Sequence, residues 1–382
     1  MRLTLNRTMY YESRFDPKSG NLARNVEMFT MRHSGAQIER AVKARFPNRS
    51  GGVPSPSPEL IDVSITDKCG FGCSYCYQNS TAKGEHAPAD LIPKLINGLD
   101  YAPYQIAIGG GEPTGHPDFV SILRETRKLG TVPNYTTAGH IFKPEVIDAT
   151  NNYCGGVAIT YHAFKGIDWF KKTYQAWHEA LKCQVNIHLI ADKNVADNLD
   201  MLMRLQDELK QRFSVVLLAY YPDVGRASLE NLMTRRVYTQ NLPAAIKSAR
   251  EHGITLAFSE GLLPYFLSRP ELGINTAFSM RSEGFFSCYV DPRGHMSSSS
   301  FDDPKERSEK TVFQVKAQTL WEDLKTYAGW PDGPMCGDCS RRNVCSAPHA
   351  FHLLTCAFAP HNSLPLAPLA AKSRYDLLDD ED

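Results

Sequence analysis

The chain has 382 residues, 42% hydrophobic and 22% charged, which excludes a mostly disordered, collagenous or coiled-coil protein. Its 42 Lys and Arg are balanced by 42 Asp and Glu, so there is no general attraction to a phosphate backbone and nucleic acid is not an expected partner. Ten cysteines are too few for a disulfide scaffold, and they are unevenly spread.

The N-terminal MRLTLNRTMY places arginines on both sides of a short apolar stretch and does not resemble a signal peptide; no run of 18 apolar residues follows. The expectation is a cytoplasmic protein with no membrane partner, where thiols stay reduced and clustered cysteines suggest metal. Residues 1–59 carry ten Lys and Arg against five Asp and Glu, a local charge of 10 − 5 = +5. Within them, Met1–Leu5 and Asn25–Met31 read as a strand pair around the turn formers Asp16-Pro17-Lys18-Ser19-Gly20, followed by a helix over Gly35–Arg45. Gly51–Pro58 reads as a proline-rich linker.

From Leu60 short β-rich runs alternate with helical ones. The strands are Leu60–Thr66, Gln105–Ile108, Asn134–Thr137, Gly156–Thr160, Val185–Ile190 and Val215–Tyr220, with Thr255–Phe258 as an extra. Between them lie helices over Ala89–Leu99, Asp118–Leu129, Pro144–Thr150, Asp168–Leu181, Ala196–Arg212 and Leu242–His252. Six β-α repeats imply a parallel sheet, open and doubly wound or curved into a partial barrel, and in both cases ligands sit at the C-terminal strand ends. The rhythm stops near Gly261; residues 261–356 are rich in Ser, Gly and Cys, and 357–382 form an acidic tail expected to be flexible.

Directly after the first strand comes Cys69-Gly70-Phe71-Gly72-Cys73-Ser74-Tyr75-Cys76. Three thiolates at C-x3-C-x2-C spacing can ligate three irons of a [4Fe–4S] cube and leave the fourth open to a substrate or cofactor. Zinc is the alternative soft-ligand metal, although structural zinc takes four ligands and this loop offers three. After the second strand comes Gly109-Gly110-Gly111-Glu112-Pro113, where glycines permit close approach to the backbone and the Glu112 carboxylate can hold an ammonium group.

These two motifs, in this order and at these strand ends, resemble the radical S-adenosylmethionine (SAM) superfamily: the C-x3-C-x-aromatic-C loop with Tyr75 as the aromatic, and the GGEP element. The resemblance implies a partial (β/α)6 TIM-like barrel over 60–260, a SAM-cleaving cluster on Cys69, Cys73 and Cys76, and an external one-electron donor such as flavodoxin or ferredoxin. It implies SAM contacts from Tyr75, Gly109, Gly110, Gly111, Glu112 and Pro113, Glu112 taking the methionine amino group. Thr136 and Thr137, Thr160, and His188, on later strands, are further candidates for the SAM ribose or the substrate.

Near the C-terminus Cys336, Cys339, Cys345 and Cys356 form C-x2-C-x5-C-x10-C, a complete site for an iron–sulfur cluster or zinc. The spacing resembles the auxiliary-cluster segment of SPASM or Twitch extensions, and Pro222, Gly225 and Arg226 resemble the P-x2-G-R that precedes them. That resemblance implies a second [4Fe–4S] cluster on these four cysteines and a cluster-binding domain over 261–356. Ser299 and His349 stand where a full SPASM domain carries further cysteines, so a third cluster is not expected. Cys154, Cys183 and Cys288 are left over; Cys288 is a candidate hydrogen-atom donor or extra iron ligand, and otherwise a core residue.

The function implied is reductive SAM cleavage to a 5′-deoxyadenosyl radical that takes a hydrogen atom from a ribosomally made peptide, giving a cross-link, a thioether or an epimer. The alternatives are oxidation or rearrangement of a small molecule such as a sugar or antibiotic precursor, and a non-catalytic, metal-stabilised binding protein.

Overall fold

The computed structural model describes residues 4–8, 11–18, 22–24, 54–222, 224–262, 265–266, 269–273 and 282–327. They fall into two compact units, one drawn from Met1–Ile159, Thr173–Val185 and Ser282–Trp330, the other from Thr160–Lys172, Asn186–Arg281 and Pro331–Asp382.

The first unit is built on strands whose residues alternate between two faces. Parallel neighbours β4 (Leu60–Ser64), β5 (Gln105–Gly109), β6 (Val132–Thr137) and β7 (Gly156–Thr160) follow one another, in register through Val63, Ile108, Tyr135 and Val157. Tyr135 shows where that row points. Its ring meets Phe119 of α2 (Phe119–Lys128) and Trp177 of α4 (Ile167–Ala180), and its hydroxyl lies 2.8 Å from Thr150 Oγ1 of α3 (Pro144–Tyr153). The Val63–Tyr135 row is therefore the helix-covered core face, and Asp62, Ala107 and Asn134 form a row on the inner face.

Each crossover helix is amphipathic. In α2, Phe119, Ile122, Leu123 and Thr126 are buried at helical spacing, and Arg127 and Lys128 occupy the last turn, where cations suit the helix dipole. α1 (Leu91–Asn97) buries Leu91, Ile92, Leu95 and Ile96 in the same way. In the second unit β8 (Gln184–Ala191), β9 (Ser214–Ala219) and β10 (Thr255–Phe258) are again parallel, joined through α5 (Val195–Leu209) and α6 (Leu242–Glu251). The fold is α/β with a parallel sheet that does not close, as a partial barrel requires. Among the described residues no helix is long and apolar enough to cross a membrane.

Three expectations need correction. The front end carries a three-stranded antiparallel sheet of β1 (Thr4–Thr8), β2 (Tyr11–Phe15) and β3 (Leu22–Arg24), with two strands the pair did not include, and the strand expected over Asn25–Met31 lies outside the described residues. Beyond its ladders with β1 and β3, β2 is tied to a distant residue: Phe15 stacks on Tyr104 with ring centroids 5.2 Å apart, and Ser13 Oγ lies 2.6 Å from the Tyr104 hydroxyl. The helix expected over 35–45 lies outside the described residues.

The proline-rich segment is no spacer. Ser55 and Ser57 are fully buried, Ser55 N–H donates to Phe285 O at 2.7 Å, and Trp321 Nε1 donates to Ser55 O at 3.1 Å. Gln318 of α7 (Ala317–Tyr327) accepts from Ser57 Oγ and donates to Pro56 O. The prolines do keep the segment out of any ladder, but side chains and loop carbonyls supply its partners instead.

Nor does the sheet end with the repeats. β11 (Ser287–Val290) adds to the far side of β4 in parallel, pairing Cys288 with Ile61 and Tyr289 with Asp62, and β12 (Met296–Ser297) turns back antiparallel to it. Cys336, Cys339, Cys345, Cys356, His349 and the acidic tail lie outside the described residues.

Candidate active site

The cysteine loop leaves β4 at its C-terminal end and is held at both edges by main-chain bonds. Ile65 N–H donates to Gly109 O (3.2 Å), Asp67 N–H to Glu85 O (2.8 Å) and Cys69 N–H to Thr81 O (2.8 Å). Gly72 has φ +79°, a conformation that L side chains rarely adopt, and turns the chain between Cys69 and Cys73. Cys69, Cys73 and Cys76 are each half-buried and free of disulfides. Removal from water raises the Cys69 thiol, and the charges of Glu112 and Cys76 raise it further. Those groups are close enough to repel a Cys69 thiolate, and bound metal cations would reverse that balance.

Among the described residues no three His, Cys, Asp or Glu side chains converge as on a single ion. A four-iron cube takes each cysteine on a different iron, so three spaced thiols on one accessible loop fit a cube and fit mononuclear zinc poorly.

The glycine motif divides its labour. A Cβ on Gly110, at φ +113°, would lie 2.3 Å from Thr66 O, and one on Gly111 would lie 2.3 Å from Lys68 O. These two glycines exist to let the loop lie against the chain that leads into the cysteines: Gly111 N–H donates to Thr66 O at 2.6 Å and Glu112 N–H to Lys68 O at 3.0 Å. Only at Gly109 is the space a Cβ would meet empty to 4 Å. The direction a Cβ would take is open at Gly109 and filled by protein backbone at Gly110 and Gly111.

Glu112 is buried and heavily used by the protein itself. Its Oε1 accepts from Thr114 N–H (3.2 Å), Thr114 Oγ1 (2.7 Å) and Thr137 Oγ1 (2.8 Å), and its Oε2 accepts from Ala138 N–H (2.9 Å). His140 Nδ1 lies 3.6 Å from Oε2, and its ring packs on Phe71 with centroids 4.9 Å apart. The carboxylate thus ties the β5 loop to the end of β6, and His140 continues the connection to the cysteine loop. Pro113, buried, opens the short turn Pro113–Gly115 that presents Thr114.

Adjacent candidates part ways. Thr137 is buried, bonded to Glu112 and accepting from Gly139 N–H at 2.9 Å, whereas Thr136 is half-buried and pairs with Ala158 on the inner face. Tyr75 is half-buried in the cysteine loop. Thr160 and His188 belong to the second unit. His188 Nδ1 is buried without a hydrogen-bond partner, and burial lowers the imidazole to about 4, so it is neutral at pH 7. Cys288 is 2% exposed, shares the core face with Ile61, and has a thiol raised by burial.

Sequence reasoning passed over His140 and Asp62. Asp62 is exposed on the inner face of a central strand, where parallel sheets are ordinarily apolar on both sides; in Leu60-Ile61-Asp62-Val63 a carboxylate breaking an apolar run was the available signal. His140 had no signal, because its role comes from a loop approaching from another strand.

The family model described as the Radical SAM superfamily matches residues 63–264, more than half of the chain. Among curated proteins, the GTP 3′,8-cyclase of Pasteurella multocida is 28% identical over 174 residues, 40% of this chain and 52% of that protein. The PqqA peptide cyclase of Ruegeria pomeroyi is 28% identical over 111 residues, 27% of this chain and 29% of that one. The chain thus spans about half or less of these relatives. Among solved structures, Streptococcus suis SuiB bound to precursor peptide SuiA superposes with a TM-score of 0.69 at 12% identity, covering 92% of this chain and 95% of that one. Native anSMEcpe with bound AdoMet and Cp18Cys peptide gives a TM-score of 0.57 at 14% identity, covering 79% and 95%. At such identities the likeness is one of fold.

Proposed function

We propose that this chain, which belongs to the radical SAM superfamily, is a maturase that modifies a ribosomally synthesised peptide. One observation carries the reading: the loop of Cys69, Cys73 and Cys76 is bonded main chain to main chain to Gly111 and Glu112, so three thiols and a buried carboxylate share one strand-end layer. When bound, a [4Fe–4S] cluster on those cysteines would supply the electron that cleaves SAM to methionine and a 5′-deoxyadenosyl radical, which takes a hydrogen atom from the substrate.

The chain's own residues bind and orient. Three thiolates leave one iron position without a protein ligand. Gly109 leaves backbone accessible, and Glu112 Oε2, with one donor within 3.0 Å against the two that Oε1 has, is the oxygen with capacity for the SAM ammonium. Thr137 and Ala138 hold that carboxylate in place. Tyr75 and Thr136 border the same layer. Cys336, Cys339, Cys345 and Cys356 would hold an auxiliary [4Fe–4S] cluster, and an external flavodoxin or ferredoxin would deliver electrons.

A peptide substrate is favoured because SuiB with its precursor peptide, anSMEcpe with a bound peptide and the PqqA peptide cyclase share that theme. A small-molecule substrate is the second reading, and the GTP cyclases favour it. Anaerobic reconstitution tests the proposal. About eight irons and eight sulfides per chain are expected for two cubes, with 5′-deoxyadenosine after dithionite and SAM. Four irons with one zinc would remove the auxiliary cluster, and no 5′-deoxyadenosine would remove the radical chemistry. Mass changes in a peptide encoded beside the gene, against none in small molecules, decide the substrate class.

A further inference from the structure

We propose that Asp62 and Tyr77 form a recognition site for an organic cation of the substrate, an amine or guanidinium, on the inner face of the first unit. The place comes from register. Asp62 stands in a row with Tyr289 of β11 on one side and Ala107 of β5 on the other, and Ala107 contributes only a methyl group. Beyond it, the space at Gly109 is empty to 4 Å. The Asp62 side chain is therefore exposed, though its strand is central and its backbone is laddered on both sides.

Tyr77 provides the second wall. It follows Cys76 directly, is 37% exposed, and rests its ring on Phe301 with centroids 4.6 Å apart. The next residue, Gln78, accepts at 3.5 Å from the hydroxyl of Tyr289, the register partner of Asp62, which brings the Tyr77 segment to the Asp62 row. An accessible aromatic ring beside an accessible carboxylate is a chemical match for an amine or guanidinium, which gains from both the ring face and the ion pair.

Among the described residues no cation is paired with Asp62. Arg307 donates to Asp291 Oδ2 at 2.9 Å and covers the Tyr289 ring. An exposed carboxylate with no counter-ion among the described residues gains an ion pair when the substrate supplies a cation. The site lies one layer below the cysteine loop, so a cation held there fixes the distance between its own backbone and the SAM layer.

The inference uses the placing of substrate on this face from the proposed function, but not the peptide identity of that substrate. The probes are acetyl-Gly-Gly-Lys-Gly-Gly-amide, the same peptide carrying acetyl-lysine, and the free amine spermidine, titrated calorimetrically into reconstituted enzyme with SAM present. The lysine peptide is expected to bind at least about tenfold more tightly than its acetylated twin, and Asp62→Asn to abolish that preference. Tyr77→Leu should reduce it, while Asp200→Asn, on an exposed helix face, keeps it. Iron content and melting temperature establish that each variant is folded. If spermidine alone binds in an Asp62-dependent way, the cation site stands and the peptide reading fails. If the wild type shows no preference for charge, or Asp62→Asn retains one, the site is refuted while a peptide substrate remains open.

Discussion

Replacing Glu112 by Gln is the sharpest test of how the strand-end layer is built. The side chain is 3% exposed, so water cannot substitute for lost partners. If the amide oxygen keeps the Oε1 corner, it retains Thr114 N–H, Thr114 Oγ1 and Thr137 Oγ1, but its NH2 then faces Ala138 N–H, donor against donor across 2.9 Å. Losing one charge-assisted bond costs about 1.5–3 kcal/mol, and turning the remaining bonds from charged to neutral adds roughly 1 kcal/mol more. The opposite flip meets three donors and is worse. We expect Glu112→Gln to lose about 3 kcal/mol in anaerobic chemical denaturation, and Thr137→Val, which removes one donor to Glu112 and the acceptor for Gly139 N–H, about 1–2 kcal/mol. Because the two residues share a bond, the double variant should lose less than the sum. A Glu112→Gln protein within about 0.5 kcal/mol of wild type would show that the network does not hold the layer together.

Single Cys69→Ala, Cys73→Ala and Cys76→Ala variants should each lose the SAM-cleaving cluster and all 5′-deoxyadenosine formation, read by iron content and chromatography; one retaining wild-type product would remove that residue from the ligand set. Gly110→Ala, at φ +113° with its Cβ 2.3 Å from Thr66 O, should destabilise the chain by about 1–3 kcal/mol and displace the cysteine loop, visible as lower iron loading. Cys288→Ala should lose about 1 kcal/mol from a small cavity and keep 5′-deoxyadenosine formation, since its thiol faces the core. His188, held near 4 against about 6.5 in an unfolded chain, takes up its proton more readily when unfolded. Its contribution is complete above about pH 6.5 and declines as pH falls toward 4, so His188→Gln should flatten the stability curve across that window, and an unchanged slope would contradict the burial of its ring.

The repeats were legible because their helices have clean apolar stripes and their strands continuous apolar runs, so α2, α6 and β10 came out within a residue of their expected bounds. The cysteine and glycine motifs were legible as spacing on turns. What local pattern could not show was anything decided by a distant partner. Ser55 and Ser57 read as linker because composition does not reveal the Phe285 carbonyl or the Trp321 indole that bury them. The packing of Gly110 and Gly111 against the carbonyls of Thr66 and Lys68 was hidden in the same way, because those carbonyls belong to the preceding loop. Cys288 stood as a donor, an iron ligand or a core residue, and its place beside Ile61 came only from register.

The pairing of β11 with β4 also sets an order of events during synthesis. Leu60 and its partner Ser287 are 287 − 60 = 227 residues apart, so β4 emerges from the ribosome long before the strand that covers its outer edge. At about 5–20 residues per second the interval is on the order of 10–50 s, during which a hydrophobic parallel strand presents unsatisfied N–H and C=O groups. The same wait applies to Ser55, whose acceptor at Phe285 arrives no sooner. A nascent chain with its cysteine loop already formed therefore carries an aggregation-prone edge until residues 282–297 arrive. Expression at reduced temperature or with a holdase chaperone should raise soluble yield, and chains truncated before Ser282 should be recovered chiefly as aggregate.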